Sequence, residues 1–137
     1  MGTLVLDEQL ANPRLVQALE ERGLQVATVG DFGVTGRPDP DVVRRIQEQI
    51  SGPWILVTMD LTIIEDHKGF DWGRYAIAWI RVHKDLKGAE VELAKTETIH
   101  RHAHTIREQG VGDQFTYSPG RCERHPPSLA SMLEKRT

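Results

Sequence analysis

The chain has a single cysteine, Cys122, which excludes an intrachain disulfide framework. It equally excludes a zinc cluster built on paired cysteines. One thiol fits a reducing compartment, and a cytoplasmic location is expected. Long apolar runs are missing too. The longest, Tyr75-Ala76-Ile77-Ala78-Trp79-Ile80, falls far short of the ~20 residues that cross a bilayer and suits a buried strand. No charged leader with an apolar segment opens the sequence, so neither a secretory signal nor a membrane partner is expected. Charge of one sign is not in excess: 17 basic side chains stand against 20 acidic, a formal net of −3. A protein that coats nucleic acid unspecifically would be basic, so any nucleic-acid contact must rest on a local basic patch. There is no internal repeat and no low-complexity tract.

What is present is an alternation. The 137 residues suit one domain with a real core. Thr3 to Leu6 is a short apolar strand. Asn12-Pro13 offers a cap with proline at the first helical position. Leu15, Val16 and Leu19 follow at helical spacing, and Gly23 stops the helix. Leu24 to Val29 predicts a second strand, and residues 30–38, rich in glycine, a loop. Asp39 to Ile50 has helical periodicity at Val42, Val43, Ile46 and Ile50, and Gly52-Pro53 ends it. Trp54 to Thr58 is strand three. This β-α-β-α-β order predicts a doubly wound α/β fold, a mainly parallel sheet of four or five strands flanked by helices. Beyond it, Leu61 to Asp66 suits a short helix and His67 to Gly73 a loop. Tyr75 to Val82 suits strand four, Glu90 to Gln109 a helix with a thin apolar stripe that includes Leu93, and Gln114 to Tyr117 strand five. Residues 121–127 look irregular, and Ser128 to Lys135 suits a terminal helix. Residues 3–82 thus form the expected core of a single domain, and residues 84–137 a C-terminal, mainly helical extension.

Two acids stand where apolar strands run out: Asp7 after Leu4-Val5-Leu6, and Asp60 after Trp54-Ile55-Leu56-Val57-Thr58-Met59. In an open α/β sheet, ligands bind in the crevice beyond the carboxyl ends of the strands. A third acid, Asp39 or Asp41, opens the helix between those strands. Each has a plainer role on its own, as a turn residue or a helix-start residue. Together they predict three carboxylates around one crevice, which repel unless a cation sits among them. Hard divalent cations take oxygen ligands of this kind, so Mg²⁺ or Mn²⁺ and phosphodiester chemistry are expected.

Three segments carry a family resemblance: Asp7-Glu8-Gln9-Leu10, Gly36-Arg37-Pro38-Asp39-Pro40-Asp41-Val42, and Ile55-Leu56-Val57-Thr58-Met59-Asp60. In order and spacing the chain resembles the PIN-like nucleases, over residues 3–82. The VapC-type toxins of bacterial toxin–antitoxin pairs belong to that superfamily. The resemblance implies a Mg²⁺- or Mn²⁺-dependent endoribonuclease, with RNA as substrate and a cognate antitoxin or a second copy as partner. It implies that Asp7, Asp39 and Asp60 hold the metal and that the Thr58 hydroxyl supports the site. Asp41 is the alternative to Asp39. The further Asp that usually follows the third acid by two residues is Thr62 here. Asp66 or Glu65 can replace it only if the segment after Asp60 folds back.

Other residues invite weaker readings. Arg14, Arg44, Arg45, Lys68 and Arg74 are expected to rim the acids as RNA contacts, though each is by default a surface charge. His100 and His104 share the i,i+4 spacing of a zinc pair, but with His102 they more simply make a solvated face or an RNA-contact strip. Trp79 suits the core. Trp72, between glycines and charges, is expected to be an exposed platform. Leu129, Met132 and Leu133 are expected to supply a dimer or antitoxin contact. Two alternatives to the nuclease are a phosphoacceptor receiver domain and a catalytically inactive PIN-like binding module. The receiver needs a lysine after strand five, usually followed by proline, and no Lys-Pro pair occurs.

Overall fold

A computed structural model describes residues 2–34 and 36–125. The chain opens with β1 (Thr3–Leu6), a 3-10 turn at Glu8–Leu10, and α1 (Pro13–Glu21). The Asn12 side chain caps α1 by accepting from the Arg14 amide, with proline at the start as expected. β2 (Val26–Thr28) is shorter than the apolar run that predicts it. Asp31 accepts from the Thr28 amide and turns the chain into a 3-10 turn at Val29–Phe32. α2 (Asp39–Gln49), β3 (Trp54–Thr58), α3 (Ile63–Asp66) and β4 (Ala76–Ile80) follow, with a 3-10 turn at Trp72–Arg74 before β4. α4 (Ala89–Arg107), β5 (Gln114–Ser118) and β6 (Arg121–His125) complete the described chain.

The six strands form one sheet in the order β2-β1-β3-β4-β5-β6. The first five are parallel and β6 is antiparallel to β5. Alternate residues face opposite sides. Leu4, Leu6, Ile55 and Val57 pack with Leu15 and Leu19 of α1 and with Ile99, Ala103 and Ile106 of α4. Val5, Leu56 and Ile77 pack with Val42, Val43 and Ile46 of α2 and Ile63 of α3. Helices thus cover both faces, and β3 and β4 are buried along their whole length, as parallel strands at a sheet centre are.

Several expectations change. The sheet has six strands, not four or five. The region beyond residue 84 is no helical appendage as far as residue 125: β5 pairs with β4, and α4 shares the core of β1 and β3. β6 reads as irregular in sequence because it is an exposed edge strand with charged side chains. Backbone pairing to β5, rather than an apolar pattern, makes it a strand. Trp72 is fully buried, not a platform. Its indole donates to the His67 carbonyl at 3.0 Å, and its ring meets Phe70 and Tyr75. Leu93, expected on the buried stripe, is 60% exposed. Lys95 faces inward instead, its ammonium donating to the Gln9 carbonyl and to Glu92. Gly112, at φ 82°, could not bear a side chain, since a Cβ there would lie 2.8 Å from the Gly73 carbonyl oxygen. The expected helix at Ser128 to Lys135, with Leu129, Met132 and Leu133, lies outside the described residues.

Candidate active site

From β1 the chain moves outward to β2, then crosses back to β3 on the other side of β1. The crevice beyond the carboxyl ends of β1 and β3 is therefore the switch point of the sheet, where doubly wound folds bind ligands. Asp7 and Asp60 lie on its two sides. The Asp7 amide donates to the Val57 carbonyl at 2.9 Å, which ties the end of β1 to β3. One Asp7 carboxylate oxygen accepts from the Glu8 amide at 2.8 Å, capping the turn that follows. The other accepts from the Thr58 hydroxyl at 2.7 Å. Thr58 is fully buried, and its oxygen in turn accepts from the Asp60 amide at 3.1 Å. One hydroxyl thus orients the first acid and the turn that carries the third.

Asp60 Oδ1 accepts from the Thr62 amide and lies 3.0 Å from the Thr62 hydroxyl. That same hydroxyl lies 2.8 Å from Asp66 Oδ2. The segment after Asp60 therefore does fold back, through the short α3, and brings Asp66 beside Asp60. Thr62 joins the two carboxylates. Trp79 fixes the backbone here, its indole donating to the Asp60 carbonyl at 2.8 Å.

Asp39 opens α2 on the same side. Burial, then the charges of Asp7 and Asp60, push its carboxyl above the ordinary range; Asp66 adds to the rise and His67 opposes it. His67 Nε2 lies 3.6 Å from Asp39 Oδ2. Four carboxylates therefore share this end of the sheet, with one imidazole facing them. Asp41, the alternative to Asp39, is exposed and faces Arg44 at 3.8 Å. Glu65 is exposed and lines a separate cavity below the site. Glu8 accepts from the Gly36 amide at 2.7 Å and clamps the loop before α2 over the crevice.

Does this set fit a divalent ion? The donors are all hard oxygens, which suits Mg²⁺ or Mn²⁺. The Thr62 hydroxyl has one proton and two carboxylate neighbours, so one of those contacts lacks a hydrogen until a proton or cation intervenes. The raised Asp39 carboxyl reports the same surplus of negative charge. As they stand, no three His, Cys, Asp or Glu side chains among the described residues lie close enough together to hold an ion. The acids are gathered around the crevice but not closed to ligand distance, because Asp7 and Asp60 are held by Thr58, the Glu8 amide and Thr62. The set fits a hard divalent ion in donor chemistry and in location.

The basic candidates divide. Arg14, in the first turn of α1, and Lys68, next to His67, are exposed at the carboxyl end of the sheet. Arg44 lies over the Phe70 ring, 5.1 Å from its centre. Arg74 does not rim the acids. It precedes β4, at the opposite, amino end of the strands, and pairs with Asp71 at 2.8 Å. The three histidines do not act together. Burial and then the nearby Arg22 push the His100 imidazole below its ordinary value, His102 meets the Ser118 carbonyl, and His104 is exposed. Two of the three are packed into the protein, so the solvated strip does not form.

No local pattern marks His67, which sits in a loop with no motif. Among the described residues, no helix is long and apolar enough to cross a membrane. No protein-family model matches this sequence, and no curated protein or solved structure matches it either.

Proposed function

We propose that this protein is a Mg²⁺- or Mn²⁺-dependent endoribonuclease of the PIN-like kind, the toxin of a toxin–antitoxin pair. The observation that carries the reading is geometric: Asp7 and Asp60 follow the adjacent parallel strands β1 and β3 at the switch point, joined through the buried Thr58 hydroxyl. Surplus charge at a ligand-binding crevice is costly without a cation. Asp7, Asp39 and Asp60 would hold the ion, with Asp66 as the fourth carboxylate. Such an ion, when bound, orients and activates a water for in-line attack on a phosphodiester. The protein's own groups prepare the site. Thr58 aims Asp7. Thr62 spaces Asp60 from Asp66. His67 faces Asp39 at 3.6 Å. Trp79 immobilises the Asp60 turn.

The experiment is cleavage of single-stranded RNA with Mg²⁺ or Mn²⁺, against a chelator control and the Asp7→Asn variant. Metal-dependent cleavage that survives in Asp7→Asn would refute the reading. No cleavage by the wild-type protein would leave the inactive PIN-like module. The partner expected is a cognate antitoxin or a second copy, in the cytoplasm, and growth arrest on expression that is abolished in Asp7→Asn tests the toxin role.

The receiver reading gains one observation. The strand order 2-1-3-4-5 is the one receivers share, and Asp7-Glu8 and Asp60 lie where a phosphoacceptor site needs acids. However, Ser118-Pro119-Gly120 follow β5, with no lysine. Incubation with acetyl phosphate and Mg²⁺ should leave Asp60 unmodified.

A further inference from the structure

On the α2 and α3 side of the sheet, β5 and β6 have no helix over them among the described residues, and the open face begins at the edge of β4. Register places Trp79, Thr116 and Glu123 in one cross-strand row, with Arg81, Ser118 and Arg121 one step nearer the carboxyl ends of β4 and β5. Two cavities occupy this face. The near one, about 340 Å³, is lined by Leu61, Ile64 and Trp79, with Glu65 and Glu123 at its walls. The far one, about 330 Å³, is lined by Arg81, His83 and Arg121. Arg81, Thr116 and Glu123 border both, so the two are neighbours. The near cavity adjoins the acids, because Leu61 follows Asp60 and the Trp79 indole holds the Asp60 carbonyl.

The two differ in balance. The near cavity is mainly apolar, with the carboxylates of Glu65 and Glu123 and the shared Arg81 at its edge and His125 beside Trp79. Leu61, 51% exposed, leaves an apolar surface open there. The far cavity offers the exposed Arg81 and Arg121, neither with a carboxylate within salt-bridge distance among the described residues, and shares the Glu123 wall with the near one. Its wall is firm: Arg101 donates to the Pro119 carbonyl at 2.7 Å, and the Arg81 amide to the Tyr117 carbonyl at 2.8 Å.

We infer that this face is the track for single-stranded RNA leaving the acid crevice, a proposal that rests on the nuclease reading and extends it. The near cavity takes a base, packed on its apolar floor. Glu65 and Glu123 accept from an exocyclic amino group, which favours cytosine over uracil at that position. The far cavity takes the next phosphate on Arg81 and Arg121.

The test uses the full chain in a chelating buffer, so that binding is read without cleavage. The probes are fluorescent oligocytidylate and oligouridylate of about 12 nucleotides. Wild type should bind oligocytidylate on the order of tenfold more tightly. Glu123→Gln should shrink that preference. Arg81→Gln and Arg121→Gln should each lower the slope of log affinity against log salt by about 0.7. Arg22→Gln, at the far end of α1, should not change it. All four side chains are exposed, so unchanged thermal midpoints confirm folding. Absent binding by wild type, an unchanged slope in both arginine variants, or equal affinity for the two probes would overturn the track. Binding that behaves as stated in a protein that cleaves no RNA with Mg²⁺ or Mn²⁺ would sink the nuclease reading and leave the track.

Discussion

Replacing Thr58 by valine keeps the shape of a fully buried side chain and removes its oxygen. Two partners lose it at once. Asp7 loses a charge-assisted hydrogen bond of 2.7 Å, and the Asp60 amide loses its acceptor at 3.1 Å. A hydrogen bond to a charged group contributes roughly 1.5–3 kcal/mol, and a part-buried orphaned amide costs about 1 kcal/mol or more. Water reaches Asp7 from the crevice side and offsets part of this. The expected loss is about 2–4 kcal/mol. For a chain of 137 residues, each kcal/mol lowers the melting temperature by about 3–4 °C, so the midpoint should fall by roughly 7–14 °C. Thr58→Ser keeps the oxygen and deletes one buried methyl, which costs about 1 kcal/mol. Urea titration of both variants, with the slope checked for constancy, gives the comparison. A valine variant as stable as the serine variant would refute the claim that this hydroxyl organises the two acids. The double change Thr58→Val with Asp7→Ala should cost less than the sum of the single changes, because both act on one hydrogen bond.

Asp39→Asn should stabilise the protein at neutral pH. Its carboxyl has a folded value above the ordinary 3.8, so wild type carries a penalty once the group ionises; the advantage of asparagine should be full above the raised value and gone below 3.8, and an advantage that grows toward low pH would contradict the sign. Mg²⁺ or Mn²⁺ should stabilise wild type by about 2.7 kcal/mol at a hundredfold excess over the dissociation constant, read as a higher thermal midpoint; an equal rise in Asp7→Asn and Asp60→Asn would place the ion elsewhere. Trp72→Ala should cost roughly 3–5 kcal/mol, as a buried aromatic does, where an exposed platform would cost almost nothing; denaturant titration decides. Deleting residues 126–137 should lower the oligomer mass or the affinity for a partner, and unchanged values of both would remove that segment from any interface.

Much of the site was legible in the chain. An apolar run followed by an acid is local information, and Asp7 and Asp60 were found by it. So were the cap at Asn12 and the helix opening at Asp39, whereas Thr58 was singled out only by the family resemblance. Local patterns say little about side chains whose partners are remote. Trp72 has polar and glycine neighbours, yet the aromatic rings of Phe70 and Tyr75 bury it. Arg74 shares its composition with the other basic candidates, and only the parallel pairing of β4 with β3 puts it at the wrong end.

The spacing of apolar residues along the chain sets the alternation of strands and helices, and with it an α/β sheet carrying acids at the carboxyl ends of its strands. Tertiary structure alone decided that β1 and β3 are neighbours, which brings Asp7 and Asp60 to one crevice. It alone brought Asp66 and His67 to that crevice, through the Thr62 hydroxyl and the turn after α3. It also made an edge strand of residues 121–125, whose charged side chains carry no strand pattern. The physical reason is the reach of each interaction. Periodicity records which side of an element meets the core, whereas strand order and cross-strand contacts depend on pairing between segments some fifty residues apart, as Thr58 and Asp7 are.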